Sequence, residues 1–301
     1  MLDPTSLYQY EPHIDPRTLR PKAMVLTLGA FIDAGHVQRQ IDAHLLEILP
    51  NHVVARFDAD QLLDYRGNRP PIMFDRDHFA DYERPEITLH HVLDADGVPF
   101  LLLNGPEPAL QWERMAAAVV HLADTFDVEQ VISLQGVPMA VPHTRPVSMT
   151  RHASNVDLIP GNQPVFGSMR MGASLPALIS VRLTEAGLNS VGLAAHVPPY
   201  LAEADYPDAA MALIDSLGLH AGLNLPTGAL EDKAKKIAGQ IEQAVAQDTD
   251  LQEMVANLEE RHDQVVQALG EAPDLDEDLP TPDELGAAAE AFLQSLGEDQ
   301  D

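Results

Sequence analysis

Short blocks of consecutive apolar residues alternate along this chain with longer stretches whose apolar groups recur every three or four positions. The first block, MVLTLG (24–29), is apolar throughout, the pattern of a strand buried on both faces. Over 33–49, Val37, Ile41, Leu45 and Ile48 or Leu49 have helical spacing, and Pro50 ends the run. HVVARF (52–57) is a second strand. ITLHHVL (87–93) and VPFLLLNG (98–105) are strands joined by a hairpin-like turn ending in Asp96-Gly97. The spacing predicts a helix within 105–126, with Pro108 near its first turn, where a missing N–H does no harm. VEQVISLQG (128–136) and SVGLAAHV (190–197) are further strands. Helices are expected over 175–187, stopped by Gly187, and over 207–217.

Strands and helices in alternation, with strands this apolar, imply an α/β fold: a three-layer sandwich around a mostly parallel sheet with one hairpin. After Pro226 the pattern becomes purely helical. Leu230, Ala234, Ile237, Ile241 and Val245 share one face, and Leu251, Met254, Val255, Leu258, Val265, Val266 and Leu269 share another. Asp250 with Glu253 resembles a capping box for the second helix. The expectation is a C-terminal helical hairpin whose apolar stripe is buried on the sheet or on a second subunit. The resulting division is an extended, proline-rich lead-in (1–21), an α/β domain (22–228), the hairpin (229–270) and an acidic tail (271–301) expected to be disordered.

Charge sharpens this picture. The net charge is −29, with 47 acidic against 18 basic residues. Such a balance argues against nucleic acid or anionic membrane as a partner, because phosphate contacts need clustered Lys and Arg. The tail holds eleven acidic residues and no Lys or Arg. No signal-peptide pattern opens the chain, and no apolar run approaches the roughly 20 residues needed to span a bilayer. There is no cysteine, hence no disulfide or thiolate chemistry. A soluble, cytoplasmic protein is expected.

Chemical signatures are sparse. Neither G-x-x-x-x-G-K-[ST] nor G-x-G-x-x-G occurs, so no phosphate cradle is indicated. GSMRMG (167–172) is not a G-x-S-x-G nucleophile elbow. None of the thirteen histidines lies in H-E-x-x-H, and His90 and His91, adjacent on a strand, point to opposite faces. No catalytic residue, metal set or cofactor is assigned.

Two loops gather cations against the acidic background. DADQLLDYRGNRP (58–70) carries Arg66 and Arg69. VPMAVPHTRPVSMT (137–150) carries His143 and Arg145 between Pro142 and Pro146. Pro142 fixes its own φ and Pro146 restricts Arg145 towards extended geometry, so this loop is stiff. Loops at the carboxyl ends of strands share one crevice in open α/β sheets. Arg66, Arg69, His143 and Arg145 are therefore candidates either for holding an anion, through bidentate arginine contacts, or for an interface.

Taken together, MVLTLGAFIDAGHVQRQ (24–40), DADQLLDYRGNRP, LLNGPEP (102–108), the strand with its PHTRP loop (130–146) and GLAAHVPPYL (192–201) resemble the family of the second proteasome assembly chaperone, in its bacterial branch. The resemblance covers roughly residues 20–225. It implies a sandwich similar to the nucleoside-phosphorylase/hydrolase fold without that group's catalytic residues. It further implies self-association into dimers or larger rings such as a trimer, and proteasome subunits as partners. Chaperones of this group often dock through a hydrophobic–tyrosine–any ending. This chain ends GEDQD, with Asp299 and Gln300 at the key positions, so that route is not carried over. The expected function is a non-enzymatic, homo-oligomeric assembly chaperone-like protein; the alternative is an anionic-ligand binding protein or enzyme using the crevice.

Overall fold

The computed structural model describes residues 2–29, 33–162, 164 and 167–270, the side chains of 268–270 excepted. In chain order the elements are β1 (Tyr8–Tyr10), β2 (Ala23–Gly29), α1 (Val37–Ile48), β3 (Asn51–Phe57), α2 (Ala59–Leu62), β4 (Met73–Asp75), β5 (His78–Ala80), β6 (Thr88–Leu93), β7 (Pro99–Pro106), α3 (Trp112–Thr125), β8 (Gln130–Pro138), β9 (Met149–Ala153), α4 (Leu175–Glu185), β10 (Ser190–Val197), α5 (Pro207–Ala221), α6 (Gly228–Gln247) and α7 (Thr249–Gly270).

Eight strands make one sheet in the order β1-β3-β6-β7-β2-β8-β10-β9. The four central strands β7, β2, β8 and β10 are parallel. β6 runs against both β7 and β3, so β3 shares the central direction, and only β1, β6 and β9 oppose it. Alternation along β2 divides the core: Ala23 and Val25 face the layer of α1, α5 and α6, while Met24, Leu26 and Leu28 face α3 and α4. All eight residues of β10 are buried, Ser190 and His196 included, which is why its sequence is mostly apolar and does not alternate.

Several details differ from the sequence reading. α3 starts at Trp112, later than the spacing suggests, because residues 107–111 fold back on α2; the amides of Ala109 and Leu110 both donate to the Leu62 carbonyl. α7 is capped by Asp248, whose carboxylate accepts from the amides of Asp250 and Leu251; Asp250 is not the cap. The lead-in does not run extended throughout: 3-10 turns form at Pro4–Leu7 and Pro16–Thr18 on either side of β1, and the segment is built into the fold. β1 pairs with β3, Leu7 and Tyr8 are buried, and the Arg114 guanidinium donates to the Asp3 carbonyl and to Ser6 Oγ. The tail 271–301 lies outside the described residues.

The helical hairpin buries one stripe of its first helix. Leu230, Ala234 and Ile241 sink into the core, with Ile237 and Val245 partly buried beside them. In α7 only Val255 and Leu258 are buried among the described side chains, and Met254, Val265 and Val266 stay exposed. No helix of the described residues is long and apolar enough to cross a membrane.

Candidate functional site

The carboxyl ends of β2, β3, β7, β8 and β10 lie along one edge of the sheet, and both cationic loops leave from that edge. They leave from different halves of it. β3 and β8 are separated by β6, β7 and β2, so at about 4.8 Å per strand their loops start roughly 19 Å apart. The sheet order thus does not unite Arg66 and Arg69 with His143 and Arg145 in a single cationic mouth.

The 139–148 loop is committed to its own chain. His143 donates its backbone N–H to the Tyr200 hydroxyl at 3.0 Å, and its Nδ1 lies 2.7 Å from the same oxygen. An oxygen that accepts from an amide is free to donate its own proton, so the geometry suits a neutral imidazole with Nδ1 as acceptor. Burial lowers the imidazole pKa, against the opposing pull of Glu259, Glu242 and Asp208, which agrees with that state. Arg145 grips Asp263 on α7 through Nε and Nη2, at 2.9 and 2.7 Å, and reaches Glu259 at 3.2 Å. Thr144 donates to the same Glu259 carboxylate. The hydrogen bonds from Arg145 hold Asp263 at about 2. The stiff loop is a latch on the C-terminal helix.

A second polar knot lies beside it. Asp205 accepts from Arg39 and Lys233, each at 2.7 Å, and from His36 at 2.9 Å, tying the start of α1 to α6. Burial alone would raise this carboxyl, but the hydrogen bonds from Lys233, His36 and Arg39 outweigh it and bring it to about 2. Replacing Arg145 with alanine is expected to loosen α7 alone. Hydrogen exchange should show its amides opening several-fold faster while β8 and β10 keep their protection; equal loss of protection throughout would contradict a local latch.

The other loop is different. Arg66, Arg69 and the neighbouring Arg84 have no ion pair or side-chain hydrogen bond among the described residues, although most other arginines of the chain find carboxylates. Arg69 and Arg84 line a cavity of about 300 Å³ walled by Pro70, Pro71, Pro85 and Pro106. Glu107, which also lines it, is already engaged: its carboxylate accepts from the Leu175 amide at the start of α4, at 2.7 Å.

Sequence reasoning passed over one partly buried constellation. Thr27, Asn104 and Thr88 occupy one register row across β2, β7 and β6. Thr27 Oγ1 donates to Asp42 Oδ1 of α1 at 2.5 Å, and Thr88 bonds both Asn104 Oδ1 and the His90 ring. His90 Nδ1 is buried without a hydrogen-bond partner among the described residues. Burial raises the Asp42 carboxyl to about 7 in spite of hydrogen bonds to Thr27 and Asn104. Polar residues inside otherwise apolar strands were the available signal. Among the described residues, no group of three or more His, Cys, Asp or Glu side chains is placed to hold a metal ion.

A family model, that of the PAC2 family, matches residues 27–245, which takes in the central strands, both loops and α6. The chain belongs to the PAC2 family. Among solved structures, a Mycobacterium tuberculosis protein of unknown function is similar at 39% identity and a TM-score of 0.83, covering 88% of this chain and 91% of that one. A Corynebacterium glutamicum protein of unknown function shares 33% identity at a TM-score of 0.81, with 87% and 98% covered. A Mycobacterium tuberculosis proteasome-assembly chaperone homologue shares the fold at 23% identity and a TM-score of 0.70, with 77% and 99% covered. None of the curated proteins matches the chain. As a PAC2 family member the chain has relatives of similar extent, and the last coverage pair leaves nearly a quarter of this chain outside the shared fold.

Proposed function

We propose that this PAC2 family protein is a non-enzymatic, self-associating chaperone-like protein that works with proteasome subunits. Family membership over residues 27–245 carries the reading. It is supported by the fold shared with a proteasome-assembly chaperone homologue and by the use made of the PHTRP loop. His143 and Arg145 are spent on Tyr200, Glu259 and Asp263, which is how a structural latch behaves. The test is reconstitution. Proteasome α subunits mixed with the purified full chain should form a stoichiometric intermediate and assemble measurably faster. Unchanged assembly kinetics with no complex in native mass spectrometry would overturn the reading.

One observation favours a second reading. In a chain with 47 acidic residues, Arg69 and Arg84 stand without an ion pair among the described residues, beside a proline-walled cavity. A carboxylate or phosphate ligand would satisfy both guanidinium groups. Thermal-shift measurements with small phosphates and carboxylates should then show saturable stabilisation that Arg69→Ala with Arg84→Ala removes. A flat response disposes of the idea.

A further inference from the structure

Where α6, the start of α7 and the 200–205 turn meet, the structure leaves a groove of about 410 Å³. Leu201, Ala204, Ile237, Ile241, Ala244 and Leu251 give it an apolar lining. One rim is cationic. Three of the chain's four lysines fall within 233–236. Lys233 and Lys236 stand one helical turn before Ile237 and Gln240, both of which line the groove. Asp205, the carboxylate in the lining, is shared between Arg39, Lys233 and His36. Lys236 has no ion pair among the described residues, so positive charge is in surplus at this rim. In a chain of net charge −29 that is a local exception, and it favours an acidic, amphipathic occupant.

The sequence beyond Gly270 contains one. Thr281-Pro282-Asp283-Glu284 has the form of a capping box with proline at the first helical position, and Gly297 suits a helix stop. Between them Leu285, Ala289, Phe292 and Leu296 recur at steps of four, three and four, the spacing of one helical face. Asp283, Glu290 and Gln294 fall on the opposite face. A helix of that length is marginal alone in water and is stabilised by burying its apolar side. The connecting chain is long enough. Residues 271–281 reach about 36 Å at roughly 3.3 Å each. The 22 residues of α7 measure about 33 Å, so the segment can return from Gly270 to the groove beside Leu251. We propose that residues 282–296 dock in this groove as an amphipathic helix of the same chain, Phe292 and Leu296 inward and carboxylates at the lysine rim. The assignment is independent of the proposed function.

Hydrogen exchange of the full chain tests it from both sides of the contact. Amides of 285–296 should exchange at least about tenfold more slowly than expected for an unstructured peptide, and dilution should leave them unchanged. Phe292→Ser with Leu296→Ser should abolish that protection and speed exchange over 237–244 several-fold. Ala244→Glu, at an exposed side chain of the groove wall, should release 285–296 equally. Amides of β10 should keep their protection in every variant, which shows that the domain remains folded. Unprotected amides over 285–296 in the parent chain overturn the docking. Protection that survives Ala244→Glu overturns the groove as its site. Protection lost on dilution overturns the same-chain occupant and assigns the segment to a second copy.

Discussion

Gly136→Ala should destabilise the protein by about 3 kcal/mol, one of the largest effects expected of a single methyl group in this chain. A Cβ on Gly136 would lie 2.2 Å from the Ala34 carbonyl oxygen and 2.9 Å from Val37 Cγ2. The first obstacle is backbone, so no rotamer change relieves it. Gly136 lies on β8, and the turn before α1 rests against it at contact distance. The same turn presents His36 to Asp205, so the strain should spread into the α6 anchor. Urea unfolding should show a lower midpoint at an unchanged m-value. A shift of less than about 1 kcal/mol would mean that the turn can back away from the strand.

Asp42→Asn should act in the opposite direction, and only at one end of the pH range. The native carboxyl holds its proton up to about pH 7, whereas its ordinary value is 3.8. Between those values the unfolded chain releases a proton that the folded chain retains, so Asp42 subtracts stability as pH rises from about 4 to 7 and imposes a constant cost above that. A gap of about three pH units corresponds to a ceiling of about 4 kcal/mol, and relaxation around the site brings the expected gain to about 1–3 kcal/mol at pH 8. Near pH 4 the variant and parent should agree within about 1 kcal/mol. Asparagine keeps an acceptor for Thr27 Oγ1 and removes the charge. Urea midpoints across the pH range are the measurement; a variant less stable than the parent at pH 8 would show that the carboxylate is favourably held there.

The two variants probe features of very different legibility. β10 could be read to the residue, since eight buried positions in a row leave a mostly apolar, non-alternating string between Asn189 and Pro198. α4 was equally plain, because Gly187 adopts φ +75 where the helix must stop. β1 and β9 were missed: each is a short edge strand whose pairing is decided by neighbours distant in the chain. The PHTRP loop could be recognised as stiff, but its purpose could not. Asp263, which Arg145 holds, lies 118 residues away and is one of 47 acidic side chains. Asp42 was hidden for the same reason. In an acidic chain a carboxylate is informative only once its burial is known.

The β4–β5 hairpin shows the same limit from the other side. Its residues alternate too weakly to signal a strand, and its apolar content looks like ordinary core until the fold leaves it outside. Arg66 and Arg69 were singled out by setting the few cations against the acidic background, which says where the cations lie in sequence and not what they do.

The position of β2 has a consequence for biosynthesis. Of this sheet's long strands it is the first to leave the ribosome, yet both of its partners, β7 and β8, begin some 75 residues or more downstream. Until β8 has emerged, the apolar segment AMVLTL has an open edge on at least one side. A nascent chain in that condition is exposed to aggregation and depends on shielding by the cell's own folding machinery.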